Sequence, residues 1–431
     1  MSPELTAVLG IVAVIALIMC RMWVGVAMGL VGFVGLLVLR GPAQALMIAG
    51  QVPFTNVNNY TMTVIPMFTF MGMLISESNI GRDLFRACNA WFGSLKGGLA
   101  SATVAATGGL GAITGSHMVG TVIMSKIALP EMRRYKYDEP FSAATIAAAA
   151  PLTMIIPPSL SFIMYGIITE QNIGKLFMSG FIPGIIMMAI FIGFITIVCR
   201  RNPAMGPAGP RASMRERLRA LAGIVPVVAL FILIFGGIYA GFFTTTESGA
   251  IGCAGALAIA ASSRQMNMGK LLLALRETVL TTGMIFTLLI GTYIFISFIT
   301  LSKLPFMITR FVASIDAPMP VMILAVSVMY IVLGMILPEI PMIILTIPVL
   351  YPALTAVGFD PIWLGLFVVI MMALGAISPP IGMVVFMLSG FSGVSVVKIF
   401  RAVIPFIVAD IIVVILISVF PQLATWLPST M

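Results

Sequence analysis

The sequence predicts an all-α polytopic membrane protein arranged as an inverted structural repeat, with two re-entrant helical hairpins and two broken helices. Three observations carry that prediction. The 431 residues are 60% hydrophobic and only 9% charged, with a mean hydropathy of +1.16. Four apolar stretches are interrupted by proline or small polar residues at membrane depth. Finally, the interruptions recur: Ile156-Pro157-Pro158-Ser159 and Ser378-Pro379-Pro380-Ile381 stand in one register, as do Pro130 with Pro352, Tyr137-Asp138 with Phe359-Asp360, and Ile182-Pro183 with Ile404-Pro405.

Composition sets the class. A soluble domain carries roughly 25% charged residues because its surface faces water. Here 23 Lys or Arg and 14 Asp or Glu cannot cover a globule of this size, so the surface must face lipid. The net charge of +9 reports membrane orientation and contact with anionic lipid rather than nucleic acid. His117 is the sole histidine, which excludes histidine-rich metal sites. Cys20, Cys88, Cys199 and Cys253 show no CxxC spacing and read as membrane-buried hydrophobes. The 33 methionines are spread over the chain as flexible fillers. Ser2-Pro3-Glu4 lacks the basic start of a signal peptide, so the first apolar segment reads as a retained helix.

A spanning helix needs roughly 20 apolar residues. The apolar segments fall at 5–20, 22–39, 60–77, 98–113, 119–131, 140–168, 176–199, 220–240, 247–262, 278–300, 318–337, 342–356, 361–377, 381–390 and 402–427. The pairs 98–113 with 119–131, and 318–337 with 342–356, have short arms around a polar or proline-rich tip. Segment 140–168 breaks at Pro157-Pro158 and 361–390 breaks at Pro379-Pro380. Irregular backbone at membrane depth is tolerated only where protein buries it or a wet cavity takes it up. The connection Arg133 to Lys136 carries three positive charges, and its counterpart Thr355 to Asp360 carries none. Excess Lys and Arg mark the cytoplasm, so the two connections are expected on opposite sides. That makes the repeat inverted and leaves only Arg40, Lys175, Lys303 and Arg310 outside.

The interruptions are where ligands can bind. A broken helix exposes N–H groups at one new end, which favour an anion, and carbonyls at the other, which favour a cation. The first tip, Gly111 to Thr121, offers hydroxyls and close backbone approach; the alternative is a small-residue packing seam. The second tip, Gly334 to Pro341, carries Glu339 at the position equivalent to His117. A charge there pairs, protonates, serves a pathway or caps its own hairpin. A structural partner is expected for Asp410, and helix capping for Thr244 to Ser248. The sequence contains no nucleophile-base pair, phosphate loop or metal-ligand cluster, so an enzyme is not expected.

Several motifs resemble the large membrane subunit of TRAP (tripartite ATP-independent periplasmic) transporters. They are Gly-x-x-[Ser/Thr]-Gly-Ser in the first hairpin, Pro130-Glu131-Met132, Ile155 to Ser159, Gly174-Lys175-Leu176-Phe177, Gly180 to Gly184, Gly241 to Glu247, Gly358 to Pro361 and Ser378 to Gly382. The resemblance covers essentially the whole chain. It implies a sodium-driven, elevator-type importer of small organic acids in the bacterial inner (plasma) membrane, with Na+ as coupling ion and no organic cofactor. It also implies two protein partners, a small four-helix membrane subunit and a periplasmic substrate-binding protein. The chain departs from the family's pattern at Thr114-Gly115-Ser116-His117, at Pro338-Glu339 and at Thr244-Thr245-Thr246-Glu247. The other readings are a stand-alone sodium-dicarboxylate symporter and an uncoupled, channel-like or structural membrane component.

In those terms residues 1–96 are N-terminal scaffold helices with a surface arm. Residues 97–200 are the first-repeat transport elements, hairpin 98–131 and broken helix 140–168. Residues 201–219 form a basic cytoplasmic linker, and 220–316 the second-repeat scaffold helices and arm. Residues 317–431 hold hairpin 318–356, broken helix 361–390 and the last helix. Sodium prefers hard oxygen ligands, so one ion is expected among Gly115, Ser116, Pro157 and Ser159, and a second among Glu339, Ser378, Pro379 and Gly382. The substrate is expected between them, near Thr114, Ser116 and Ile340, with His117 neutral or turned away.

Overall fold

The computed structural model describes residues 2–78, 80–115, 117–262, 266–314 and 317–431, without the side chains of 56, 113 and 313. Every regular element among them is a helix. The chain opens with α1 (Pro3–Met19), α2 (Val24–Arg40), α3 (Pro42–Val57), α4 (Val64–Ser76) and α5 (Ile80–Phe92). Then come α6 (Gly98–Thr114) and α7 (His117–Arg134), an interrupted helix α8 (Glu139–Ala149), α9 (Leu152–Ile155) and α10 (Leu160–Thr169), and the long α11 (Ile173–Arg201). After a linker follow α12 (Met214–Ala222), α13 (Val225–Tyr239), α14 (Thr245–Ser262), α15 (Met268–Leu301) and α16 (Leu304–Ser314). The last part is α17 (Met319–Ile336), α18 (Glu339–Ala356), an interrupted helix α19 (Pro361–Ile377) and α20 (Met383–Ser392), then α21 (Val396–Val419) and α22 (Gln422–Ser429).

Local chemistry explains the recurring motifs. Asp138 and Asp360 are the caps of α8 and α19: Asp138 Oδ1 accepts from Phe141 N at 2.9 Å, and Asp360 Oδ1 from Ile362 N and Trp363 N at 2.9 and 2.8 Å. Each helix then has a proline in its first turn, where no N–H is missed. Two sequence segments are divided differently from expectation. Segment 402–427 ends as a helix at Val419, and Pro421 opens a separate α22, since proline cannot continue the hydrogen-bond ladder. Segment 220–240 is bent by 52° between α12 and α13, around Gly223.

Six helical segments among the described residues are long and apolar enough to cross a membrane, seven if α12 and α13 count as one span. Their outward faces are apolar too: Leu5, Val8, Leu9 and Val12 on α1, and Val408, Ile411, Ile412 and Ile415 on α21, stand exposed. Such faces suit lipid and no other solvent. The centre is filled by the two interrupted helices; every residue of α8 from Phe141 to Ala149 and every residue of α19 from Trp363 to Ile377 is buried.

Helix α11, 29 residues and about 44 Å long, gives the molecule two ends. At its C-terminal end Gly97 and Gly206 pack on Cys199, Gly97 N donates to Gly206 O at 2.8 Å, and Asp138 N to Met205 O at 3.2 Å. Leu99 N donates to Tyr137 Oη at 3.1 Å. The start of α6, the end of α7 and the basic linker therefore share this end. At the N-terminal end Gln171 Nε2 donates to Tyr351 Oη at 2.9 Å, and Tyr165 Oη to Pro361 O at 2.7 Å. Trp363 Nε1 there donates to Ile417 O, and Met319 shares a groove with Val419. Both outer ends of the α17–α18 hairpin thus lie opposite those of α6–α7. The basic turn after α7 and its counterpart after α18, which has no basic residue, are separated by the length of α11.

Candidate functional site

Each hairpin lies against an interrupted helix at a point where a side chain would not fit. A Cβ on Gly111 would stand 2.6 Å from Thr153 Cα, and one on Gly375 would stand 2.7 Å from Gly334 Cα. These contacts bring each tip to its break.

At the first tip, α6 ends on Gly115 in the left-handed region, with φ +61°. Any side chain there is strained and would also meet Pro158 O at 2.6 Å. Leu160 N donates to Gly115 O at 3.4 Å, joining the tip to the start of α10. Ser159 caps α10, its Oγ accepting from Phe162 N at 3.5 Å, and Thr114 Oγ1 donates to Leu110 O at 3.0 Å. Thr114, Gly115, Pro158 and Ser159, closed off by Phe68 and Ile163, surround a void of about 10 Å³. That is room for one small ion or one water. The structure thus brings together Thr114, Gly115 and Ser159. Pro157 is buried beside them, and Pro158 takes its place in the lining. Ser116 lies outside the described residues.

The second tip does not group as expected. Glu339, the first residue of α18, turns to the first half: its Oε2 lies 3.0 Å from His117 Nδ1 and 3.4 Å from Ser161 Oγ. It makes no hydrogen bond to Ser378, whose Oγ donates to Leu374 O at 2.7 Å. His117, expected to be neutral or turned away, faces this carboxylate at 2% exposure, and its Nε2 has no partner among the described residues. The N-termini of α7, α10 and α18 converge here, and their free N–H groups favour negative charge. The carboxylate goes where those N–H groups and the imidazole are, and α19 ends with carbonyls instead.

The second break stands apart. Ser378 is buried, whereas Pro379, Pro380 and Ile381 are exposed. Gly382, at φ +35°, starts α20, and Ile340 is buried in the first turn of α18. Asp410 also departs from expectation: it is 1% exposed, and neither carboxyl oxygen has a partner among the described residues. The capping of α14 is as expected. Thr244 N and Oγ1 donate to Glu247 Oε2 at 2.8 and 2.9 Å, and Glu247 N returns a bond to Thr244 Oγ1. Two residues went unnoticed in the sequence. Ser161 follows the Ser159 cap within one turn, a signal that could have been read; Phe68 on α4 gives no local sign of closing the first tip.

Residues 11–423 match the family described as tripartite ATP-independent periplasmic transporter, DctM component. The chain is 29% identical over 377 residues to the C4-dicarboxylate TRAP transporter large permease protein DctM of Pseudomonas aeruginosa, spanning 87% of this chain and 88% of that protein. It is 26% identical over 381 residues to the sialic acid TRAP transporter large permease protein SiaM of Vibrio cholerae, spanning 88% and 89%. The fold is similar to the YdaH transporter of Alcanivorax borkumensis, with a TM-score of 0.63 and 12% identity over 89% of this chain and 91% of that one.

Proposed function

The chain belongs to the DctM family of tripartite ATP-independent periplasmic transporters, and from that membership we propose a sodium-coupled subunit that imports a small organic acid. It is a multi-span membrane protein of a permease family and not an enzyme. We place it in the bacterial inner membrane. Its partners there are a small four-helix membrane subunit and a periplasmic binding protein that delivers the acid. The substrate class, a carboxylate or sugar acid, follows the C4-dicarboxylate and sialic acid named for the relatives.

The observation that carries this reading is the meeting of the two tips. Hairpins with ends at opposite ends of α11 touch through His117 and Glu339, beside a void of ionic size. Opposed hairpins of this kind suit an inverted repeat, and a buried meeting point suits alternating access by an elevator movement. We assign the first sodium to carbonyls and hydroxyls around Gly115, Ser116, Pro157 and Ser159. We assign the second to Ser378, Pro379 and Gly382, with Glu339 joining only if the tips part. The acid would bind between them, near Thr114, Ser116 and Ile340, where helix N-termini and His117 favour an anion.

The test is reconstitution in liposomes with the two partner proteins. Uptake that requires both an inward sodium gradient and the loaded binding protein is the expected result. Uptake by this chain alone would make it a self-sufficient symporter, and ion conductance without coupling would make it a channel. Impermeant labelling of single cysteines after α7 and after α18 should find them on opposite faces of the membrane.

A further inference from the structure

A cavity of about 600 Å³ separates the first hairpin from α4, α5 and α15. Along α7 it is lined by Met118, Val122 and Lys126, spaced four residues apart and therefore on one helix face. Met118 follows His117 directly, and Lys126 stands about 14 Å further along the helix. The cavity thus runs from the tip toward the end that carries the basic linker. Its rim is anchored there, because α5 receives a hydrogen bond from Arg217 Nε of α12 to Ala90 O at 3.2 Å.

Charge is distributed unevenly across the gap. The wall opposite the hairpin contributes Glu77, Arg82 and Glu277; the hairpin contributes Lys126 alone. Neither α6, α17 nor α18 carries a cation, and the remaining two on α7, Arg133 and Arg134, belong to its last turn. Lys126 is exposed and makes no ion pair among the described residues. An unpaired cation on a hairpin that re-enters the membrane is costly unless it faces a wet cavity and serves a pathway. A volume of this size accommodates a small organic molecule.

We infer that this cavity is the inner exit vestibule of the transport site, and that Lys126 is the residue in it that holds the carboxylate of a departing organic acid. The inference rests on the organic-acid reading above. The far wall, with Glu77 and Glu277 against Arg82, carries a net negative charge and repels the same anion, so it keeps to the hairpin side on its way from the tips to the basic end. Lys126 gives it one charged stop along a helix face otherwise lined by Met118, Val119 and Val122.

The test uses Val119→Cys in the full chain, between the tip and Lys126, in inside-out membrane vesicles. An anionic methanethiosulfonate bearing a sulfonate and a neutral methanethiosulfonate are compared, with the unsubstituted chain as background for its four native cysteines. Adding Lys126→Gln should slow the anionic reagent about tenfold, the lower end of focusing by a charged cleft, and leave the neutral reagent unchanged. Lys126→Arg should restore the rate and Glu277→Gln should raise it. An unchanged ratio of anionic to neutral rates, or reaction of the introduced thiol only from the opposite face, overturns the inference. Should Val119→Cys fail to fold, Val122→Cys provides the same comparison. Sodium-driven uptake by the wild-type chain with its partners is measured separately. Its failure removes the organic-acid reading while the labelling still reports on the vestibule.

Discussion

The break at Pro157-Pro158 and the break at Pro379-Pro380 are built alike and covered differently. Each lies in a helix that starts behind an Asp cap, and each is approached by a hairpin helix too closely for a side chain. At the first, residues from Ile156 to Leu160 are all buried, the tip is bonded to the start of α10, and a void of ionic size remains. At the second, Pro379 to Ile381 are exposed and the one nearby hydroxyl is spent on its own helix. The second hairpin's only carboxylate has crossed to the first half. The recurring Pro-Pro motif therefore reproduces a break, but whether the break becomes a closed site depends on which tip reaches it and with what charge.

That contrast can be broken at its strongest link. Removing one partner of an enclosed hydrogen-bonded pair leaves the other unsatisfied, so His117→Ala and Glu339→Ala should each destabilise the purified chain by about 1–3 kcal/mol. The double substitution should cost clearly less than the sum. Additive losses in chemical unfolding would show that the pair does not join the tips.

Gly115→Ala comes next. The left-handed conformation alone costs a residue with a side chain about 1–2 kcal/mol, and the contact with Pro158 O adds to it. A lowered midpoint in thermal unfolding, with loss of sodium-driven uptake, is expected; wild-type behaviour would mean the tip can move off the break.

The prolines test the difference in cover directly. Pro379→Ala, at an exposed position, should stay within about 0.5 kcal/mol of wild type. Pro157→Ala, fully enclosed, should cost more. Equal effects would imply that the second break is also covered in the membrane.

The serines sharpen the comparison at the level of single hydroxyls. Ser159→Ala removes a helix cap worth about 1 kcal/mol and should raise the sodium concentration for half-maximal uptake. Ser378→Ala, whose hydroxyl donates to Leu374 O, should change stability less. An equal shift in sodium dependence for both would restore Ser378 to parity with Ser159 as an ion ligand.

Local features of the fold are legible in the residues alone. Hydropathy and charge content fix the solvent, because too few charged residues exist to face water. Proline positions fix where α9 stops and α10 starts, and where α19 gives way to α20, because a missing N–H interrupts the ladder at that residue. Tyr137-Asp138 and Phe359-Asp360 recur because each supplies a helix cap. What meets across the halves depends on how distant helices pack. Glu339 could have served Ser378, at the break in its own half of the chain, yet it bonds His117 and Ser161. Phe68 seals the first tip from α4 with no local sign, and Asp410 lies buried with no hydrogen-bond partner among the described residues. The physical reason is range. Capping, proline geometry and hydropathy act within a turn or two of helix, whereas a buried carboxylate takes its partner from whichever N–H groups and cations the packing of distant helices brings within about 3 to 4 Å.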